Sequence, residues 1–217
     1  MHIINKIKLK DKLKINLKFL CNKKLFWLNK RIFDVCISIL LMPVLISIYL
    51  VLLPLNTFLN KGKIFYTQKR MGKDCNPFYA IKFRTMSPID KINRKFNDPI
   101  EYNRITPLGS FLRKSRFDEV PQIINVIKGE MSLIGPRPDY YEHALIFCKN
   151  VKGYKDRHII RPGITGLSQI RLGYVSGLKQ TEKKAFVDNY YIKNIGYILE
   201  IKIIINTLIT IVRGLGR

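Results

Sequence analysis

Positions 35 to 59, VCISILLMPVLISIYLVLLPLNTFL, form 25 consecutive residues without a charge, and no other feature limits the possible folds as sharply. At about 1.5 Å per residue, a helix of that length can enter or cross the roughly 30 Å hydrocarbon core of a bilayer. A signal-peptide core is shorter, starts earlier and is followed by a small-residue cleavage site, which this run lacks. Membrane attachment is therefore expected.

The charges on either side pose a topological problem. Lys18, Lys23, Lys24, Lys30 and Arg31 precede the run, and Lys61, Lys63, Lys69, Arg70 and Lys73 follow it. Basic flanks prefer the cytoplasmic face, so one straight span would put one of them on the wrong side. Pro43 removes a backbone hydrogen bond and bends a helix that contains it, and Pro54 lies near the exit. The charge symmetry favours a re-entrant segment broken at Pro43 that dips into one leaflet and returns; a kinked spanning helix is the alternative.

The first 29 residues alternate Lys with Ile, Leu and Phe around one acid, Asp11. They read as a basic membrane-surface arm facing anionic lipids, or as a solvated basic tail. The formal net charge of +24 implies an anionic partner, but charge alone does not choose among nucleic acid, membrane and phosphorylated substrates. Cys21, Cys36, Cys75 and Cys148 are widely spaced with no C-x-x-C pair, which argues against a zinc site or disulfide framework and for a reducing compartment.

Beyond the run, KIFYTQKR (63 to 70) and FYAIKFRTM (78 to 86) flank a turn-forming stretch and predict a β-hairpin. Residues 87 to 103 are polar with two prolines and predict a loop. Helices are expected near 108–115, 119–128, 139–150 and 178–192. The apolar tail 195–213 is interrupted by Glu200 and Lys202, so it suits an interfacial or core-packed helix. Gly166 and Gly173 suit close backbone approach in RPGITGLSQIRLGY (161 to 174). The P-loop, dinucleotide-fold and zinc-protease signatures are absent, and His2, His143 and His158 are scattered.

The segment RKSRFDEVPQIINVIKGEMSLIGPRP (113 to 138) concentrates the chemistry. The adjacent carboxylates Asp118 and Glu119 lie between Arg113 and Arg116 on one side and Arg137 on the other. Guanidinium groups keep a nearby carboxylate ionised, and an ionised Asp is a competent nucleophile. The same arginines can clamp phosphate oxygens. A structural reading competes: Asp118 could cap a helix that starts there and ends at Gly129. The two roles are compatible, because a helix start also cradles phosphate.

KRIFD (30 to 34) opening the apolar run, Gln68-Lys69-Arg70, KFRTM (82 to 86), FDEVPQIINVIKGEMSLIGPRP and RPGITGLSQI occur in an order that strongly resembles the bacterial sugar transferases. These are the monotopic phosphoglycosyl transferases, and the likeness runs from about Lys30 to the C-terminus. The resemblance implies transfer of a sugar-1-phosphate from a nucleotide sugar, usually a UDP-sugar, to a polyprenyl phosphate such as undecaprenyl phosphate, starting surface polysaccharide or glycoconjugate assembly. It implies Asp118 as nucleophile and Glu119 as the residue that helps place Mg2+, with Asp118 and Asp188 as further metal candidates. It also implies phosphate or nucleotide contacts from Arg113, Lys82, Arg84, Arg137, Arg161 and Gln169. Many larger relatives carry additional membrane spans, so this chain resembles the minimal catalytic form. QIRLGY departs from the family's more frequent Gln-Val-Asn-Gly-Arg pattern and leaves the sugar open.

The expected architecture is α+β. A basic arm covers 1–29, a re-entrant membrane helix 30–60, and a small cytoplasmic catalytic domain of helices and a β-hairpin, with interfacial amphipathic helices, 61–217. The expected setting is the cytoplasmic face of a bacterial inner membrane, with no nucleic-acid partner. A non-catalytic, membrane-attached polyanion binder is the competing class, carried by the net charge and the basic arm. Against it, the aromatics interleave with core positions and form no stacking platform.

Overall fold

The computed structural model describes residues 23–60, 62–88, 101–173 and 177–212. Most of the expected basic arm, and residues 89–100 of the expected loop, lie outside these. The chain is helical from α1 (Lys24–Leu40) through α2 (Met42–Leu59), interrupted at Leu41. Helix therefore begins six residues before the expected boundary at 30. Pro43 sits in the first turn of α2, where its missing N–H is least costly, and the Ser47 hydroxyl donates to its carbonyl at 2.9 Å. Pro54 lies inside α2.

Together α1 and α2 make a 36-residue apolar helical segment whose length and composition fit a membrane-anchored protein. Each half uses only one narrow face against the rest of the chain. On α1, Phe26 meets Tyr197 edge-on, Lys30 pairs with Glu200 at 2.5 Å, and Asp34 accepts the Leu133 amide at 3.1 Å. On α2, Leu45 and Leu52 are buried in a cluster with Phe83, Leu112 and Ile123. Tyr49 stacks on Phe65, and Asn56 donates to the Gly62 carbonyl at 2.6 Å. The other faces leave large apolar side chains uncovered, among them Leu40, Val51 and Phe58. Water would penalise that exposure and lipid would not.

Strands β1 (Phe65–Met71) and β2 (Pro77–Phe83) form the expected antiparallel hairpin, with Phe65 opposite Phe83 and Met71 opposite Pro77. Asp74 and Cys75 take left-handed conformations in its turn. Phe78, Ala80 and Phe83 are buried. Asn125 anchors the outer edge of β2: its amide group donates to the Tyr79 carbonyl at 2.8 Å and accepts the Ile81 amide at 3.0 Å. This fully buried side chain continues the strand's hydrogen bonding where, among the described residues, no third strand pairs.

Helix α3 (Pro107–Lys114) starts with Thr106, whose hydroxyl accepts the Gly109 amide at 3.0 Å, and with Pro107 in the first turn. A 3-10 turn, Phe117–Glu119, leads into α4 (Gln122–Lys128), which Gly129 ends in a left-handed conformation. Strand β3 (Ser132–Ile134) pairs in parallel with β4 (Gly163–Thr165), two short segments that the sequence did not announce as strands. Glycine is required where these segments meet, since a Cβ on Gly163 would lie 2.1 Å from the Gly135 nitrogen. Gly166 makes a similar approach, to the Gly135 carbonyl oxygen, whereas Gly173 has open space and is needed for its positive φ of 63°.

Helix α5 (Tyr141–Asn150) follows GPRP, and the short α6 (Leu167–Leu172) follows β4. Helices α7 (Leu178–Lys193) and α8 (Tyr197–Val212) close the chain. Phe26, Ile134, Ile160, Tyr191, Ile192 and Ile203 form one core cluster, which binds α7 and α8 to the start of α1. The outer face of α8 exposes Ile198, Ile201, Ile205, Leu208 and Ile209, an apolar stripe at helical spacing.

Candidate active site

The site is assembled where β2, the 3-10 turn and GPRP converge. Arg116 has φ 62°, and the Glu119 and Val120 amides bond three residues back to Arg116 and Phe117. Asp118 therefore lies inside a tight 3-10 turn. The expected role of Asp118 as helix cap is corrected here: α4 starts at Gln122, Pro121 precedes it, and no side chain caps it. The i→i+3 turn uses the geometry that a capping Asp would need.

Glu119 is the most enclosed carboxylate of the turn, with its side chain 9% exposed. Lys82 from β2 donates to its Oε1 at 2.5 Å. Arg137 donates Nη1 to Oε2 at 2.9 Å and Nη2 to Oε1, a two-pronged grip on both oxygens. Burial pushes the Glu119 carboxyl up, but Arg137 and Lys82 more than reverse this and hold it well below the usual range. Arg70 stands behind this group, its guanidinium donating to the Pro138 carbonyl at 2.8 Å.

Asp118 has a different environment. It makes no ion pair or side-chain hydrogen bond with the described residues, although Lys82, Arg137 and Arg113 all act on its charge. Burial and then Glu119 push its carboxyl up, and the three cations oppose them without cancelling the rise. The expectation that neighbouring arginines hold both carboxylates low therefore applies to Glu119 and not to Asp118. Arg113 approaches from the last turn of α3, with Nε donating to the Thr85 hydroxyl at 2.8 Å.

Five of the residues singled out from sequence thus meet: Asp118, Glu119, Lys82, Arg137 and Arg113. The others do not join them. The Arg84 guanidinium donates to the Asn60 carbonyl beside the end of α2. Arg161 donates Nε to the Gly129 carbonyl at 2.7 Å, and Gln169 donates to the Ile164 carbonyl at 3.1 Å. Asp188, a metal candidate from sequence, is 1% exposed and pairs with Arg157 at 2.8 Å, so the structure gives it a packing role. Burial raises its carboxyl, with Arg157 and Lys184 opposing.

Arg157 was not found from sequence, where nothing distinguishes it among the basic residues. Its side chain has no exposure, and it bonds Asp139 at 2.6 Å and the Arg137 carbonyl at 2.7 Å. Asp139 also takes Lys184 at 2.6 Å and the Tyr154 hydroxyl at 2.7 Å. This buried network fixes the backbone that presents Arg137. Arg70 does the same from the other side, and only its place in Gln68-Lys69-Arg70 hinted at it.

The residues present fit Mg2+ only in part. Among the described residues, no three His, Cys, Asp or Glu side chains come together as a ligand group. Glu119, expected to help place the ion, has both oxygens taken by Lys82 and Arg137. Among the described residues of the site, Asp118 is the carboxylate with lone pairs to spare, and a set of cations surrounds it. That donor set suits a cation arriving on substrate phosphates, the usual habit of Mg2+, and not a resident ion in an all-protein cage.

An ionisable carboxylate set among buried cations, on a domain packed against an apolar helical segment long enough to enter a bilayer, is an arrangement suited to phosphate chemistry beside a membrane. The family model described as bacterial sugar transferase matches residues 23–214. The UDP-N-acetylgalactosamine-undecaprenyl-phosphate N-acetylgalactosaminephosphotransferase of Aeromonas hydrophila is 36% identical over 86% of this chain and 44% of its own length. The UDP-glucose:undecaprenyl-phosphate glucose-1-phosphate transferase of Klebsiella pneumoniae is 35% identical over 82% of this chain and 39% of its own length. The exopolysaccharide production protein ExoY of Sinorhizobium fredii is 33% identical, with 83% of this chain and 84% of ExoY aligned. The chain thus spans less than half of the first two relatives and most of the third. This chain belongs to the bacterial sugar transferase family.

Proposed function

We propose that this chain transfers a sugar-1-phosphate from a UDP-sugar to a polyprenyl phosphate at a membrane surface, through a covalent intermediate on Asp118. The observation that carries this reading is the unequal treatment of the two adjacent carboxylates. Glu119 is locked between Lys82 and Arg137, while Asp118 has no bonded partner among the described residues in the same field of cations. A nucleophile must have a free lone pair, and the cations beside it must be fixed before substrate arrives.

In the first step an Asp118 oxygen attacks the phosphorus that carries the sugar. An acyl-phosphate bond forms, the bond to the bridging diphosphate oxygen breaks, and UMP leaves with that electron pair. In the second step a phosphate oxygen of the polyprenyl phosphate attacks the same phosphorus, and the Asp118 carboxylate departs unchanged. Arg113, Lys82 and Arg137 would hold the phosphate oxygens during both displacements. Mg2+ bound with the diphosphate would offset negative charge at the leaving group, with Asp118 and the substrate oxygens holding it.

The membrane part of the proposal is a re-entrant α1–α2 segment with the catalytic domain on the cytoplasmic face. A straight helix of 36 residues would measure about 54 Å. Yet Phe26 near its start and Asn56 near its end both contact the same domain, and the chain breaks between them at Leu41. Basic flanks on both sides support the same reading. The exposed stripe of α8 would rest at the interface and bring the lipid acceptor level with the site. Aligned relatives named for UDP-sugars, undecaprenyl phosphate and exopolysaccharide production support the substrate classes and the pathway.

The test supplies labelled UDP-sugars to the purified chain without acceptor. Wild type should release UMP and retain sugar phosphate on the protein, and adding polyprenyl phosphate should move the label into lipid. Asp118→Asn should abolish both. Normal turnover by Asp118→Asn would sink the nucleophile assignment. For topology, thiol labelling of single cysteines placed before α1 and after α2 should occur from one side of sealed vesicles.

A further inference from the structure

A second cluster of cations lies apart from the Asp118 site. A cavity of about 290 Å3 opens between the first turns of α1, the turn of the β1–β2 hairpin and the chain entering β4. Four cations line it, Lys30, Arg31, Lys73 and Arg161, against one carboxylate, Asp34. One of these charges is already committed. Lys30 pairs with Glu200, and Asp34 accepts the Leu133 amide.

The remaining three cations outnumber Asp34, whose bond from a neutral amide leaves its charge in place. Arg31 bonds the Val126 and Ile127 carbonyls at 2.6 and 3.0 Å, and Arg161 bonds the Gly129 carbonyl through Nε. Neutral carbonyls fix both guanidinium groups in place without cancelling their charges. The two terminal nitrogens of Arg161 have no partner among the described residues. Lys73 is half exposed, with Asp74 3.7 Å away.

Trp27 also lines the cavity, and Leu25, Leu28 and Ile32 of the same helix are exposed. A tryptophan beside uncovered apolar side chains and basic groups is the composition of the lipid headgroup level. The apolar run begins at residue 35, just after these residues.

We infer that this cavity binds the phosphate of an anionic phospholipid from the surrounding leaflet, with Arg31, Arg161 and Lys73 as its cationic wall. The inference rests on the membrane-inserted reading of α1. It gives Arg161, which the sequence marks and the Asp118 site does not use, a binding role of its own. Such a lipid would pin the start of α1 at headgroup depth and set the height of the catalytic domain above the bilayer.

The test uses the full chain in neutral detergent, with emission from Trp27, the only tryptophan, as the reporter. Short-chain phosphatidylglycerol should give a saturable change, and short-chain phosphatidylcholine should give none over the same range. Loss of a charge-assisted hydrogen bond should shift the midpoint about tenfold or more in Arg161→Gln. Lys73→Gln should shift it in the same direction, and that position is exposed enough to leave folding intact. Equal responses to the two lipids, or wild-type titrations by both variants, would overturn the site. Saturation by inorganic phosphate at the concentrations that suffice for phosphatidylglycerol would make it a soluble-phosphate site and remove the lipid assignment. Displacement of phosphatidylglycerol by much lower concentrations of polyprenyl phosphate would assign it to the acceptor and likewise overturn the inference. UMP release measured on the same samples separates the two readings. Phosphatidylglycerol saturation without release would end the transferase reading alone, and release without saturation would end the lipid site alone.

Discussion

Arg137 grips both oxygens of Glu119, and the adjacent Asp118 is thereby left as the member of the pair with no bond to the described residues. Two neighbouring carboxylates receive opposite treatment from one set of cations. Glu119 is drawn well below its ordinary pKa and Asp118 is pushed above its own.

Removing the Glu119 charge should destabilise the protein as well as impair it. Glu119→Gln leaves Lys82 and Arg137 facing each other without their shared anion, and breaking a buried pair of this kind costs about 3–5 kcal/mol. Thermal unfolding in detergent should fall by roughly 2–4 °C for each kcal/mol lost. Lys82→Met, which leaves the Arg137 grip intact, should lower the transition less. An unchanged transition in Glu119→Gln would mean that the pair is not structural.

Asp118 must be ionised to attack, so its raised pKa should place the acid limb of kcat/KM above the pH of an ordinary aspartate. Lys82 lowers that pKa, so Lys82→Met should move the limb to still higher pH. Arg113→Gln should shift it in the same direction. A pH profile of the variants compared with wild type gives the sign directly, and a downward shift in both would refute the electrostatic account.

Asp188 separates structural from metal roles. As a buried partner of Arg157 it should, on conversion to Asn, lower thermal stability, by less than the about 3–5 kcal/mol of a fully broken buried pair because Asp139 still pairs with the guanidinium. The Mg2+ concentration for half-maximal activity should stay as in wild type. A several-fold rise in that concentration would return Asp188 to the metal site.

His158 should contribute an acid-dependent loss of stability. Burial, followed by Arg157, pushes its imidazole down to about 3 from an ordinary 6.5. The folded state refuses a proton that the unfolded chain accepts, so stability is full above about pH 6.5 and declines as pH falls toward 3. The slope from this group is about 1.4 kcal/mol per pH unit in that window. Denaturant unfolding at several pH values should show a shallower slope in His158→Gln.

Local chemistry made much of this protein readable in one dimension. The uncharged run, the proline in it, the aromatic hairpin and the clustered charges at 113–138 are all contiguous signals, and each marks an element or residue group present in the structure. Order along the chain was enough to bring out the family resemblance. The parallel pairing of Ser132–Ile134 with Gly163–Thr165 was hidden, because three-residue strands carry no alternation to detect. The division of labour between Asp118 and Glu119 was equally hidden. It depends on which cation meets which oxygen across separations of 37 residues for Lys82 and 18 for Arg137. Composition had already supplied an excess of positive charge; burial and distance, which only the folded chain possesses, decided that Arg157 would go to Asp139 and Asp188, Arg161 to Gly129, and Arg137 to Glu119.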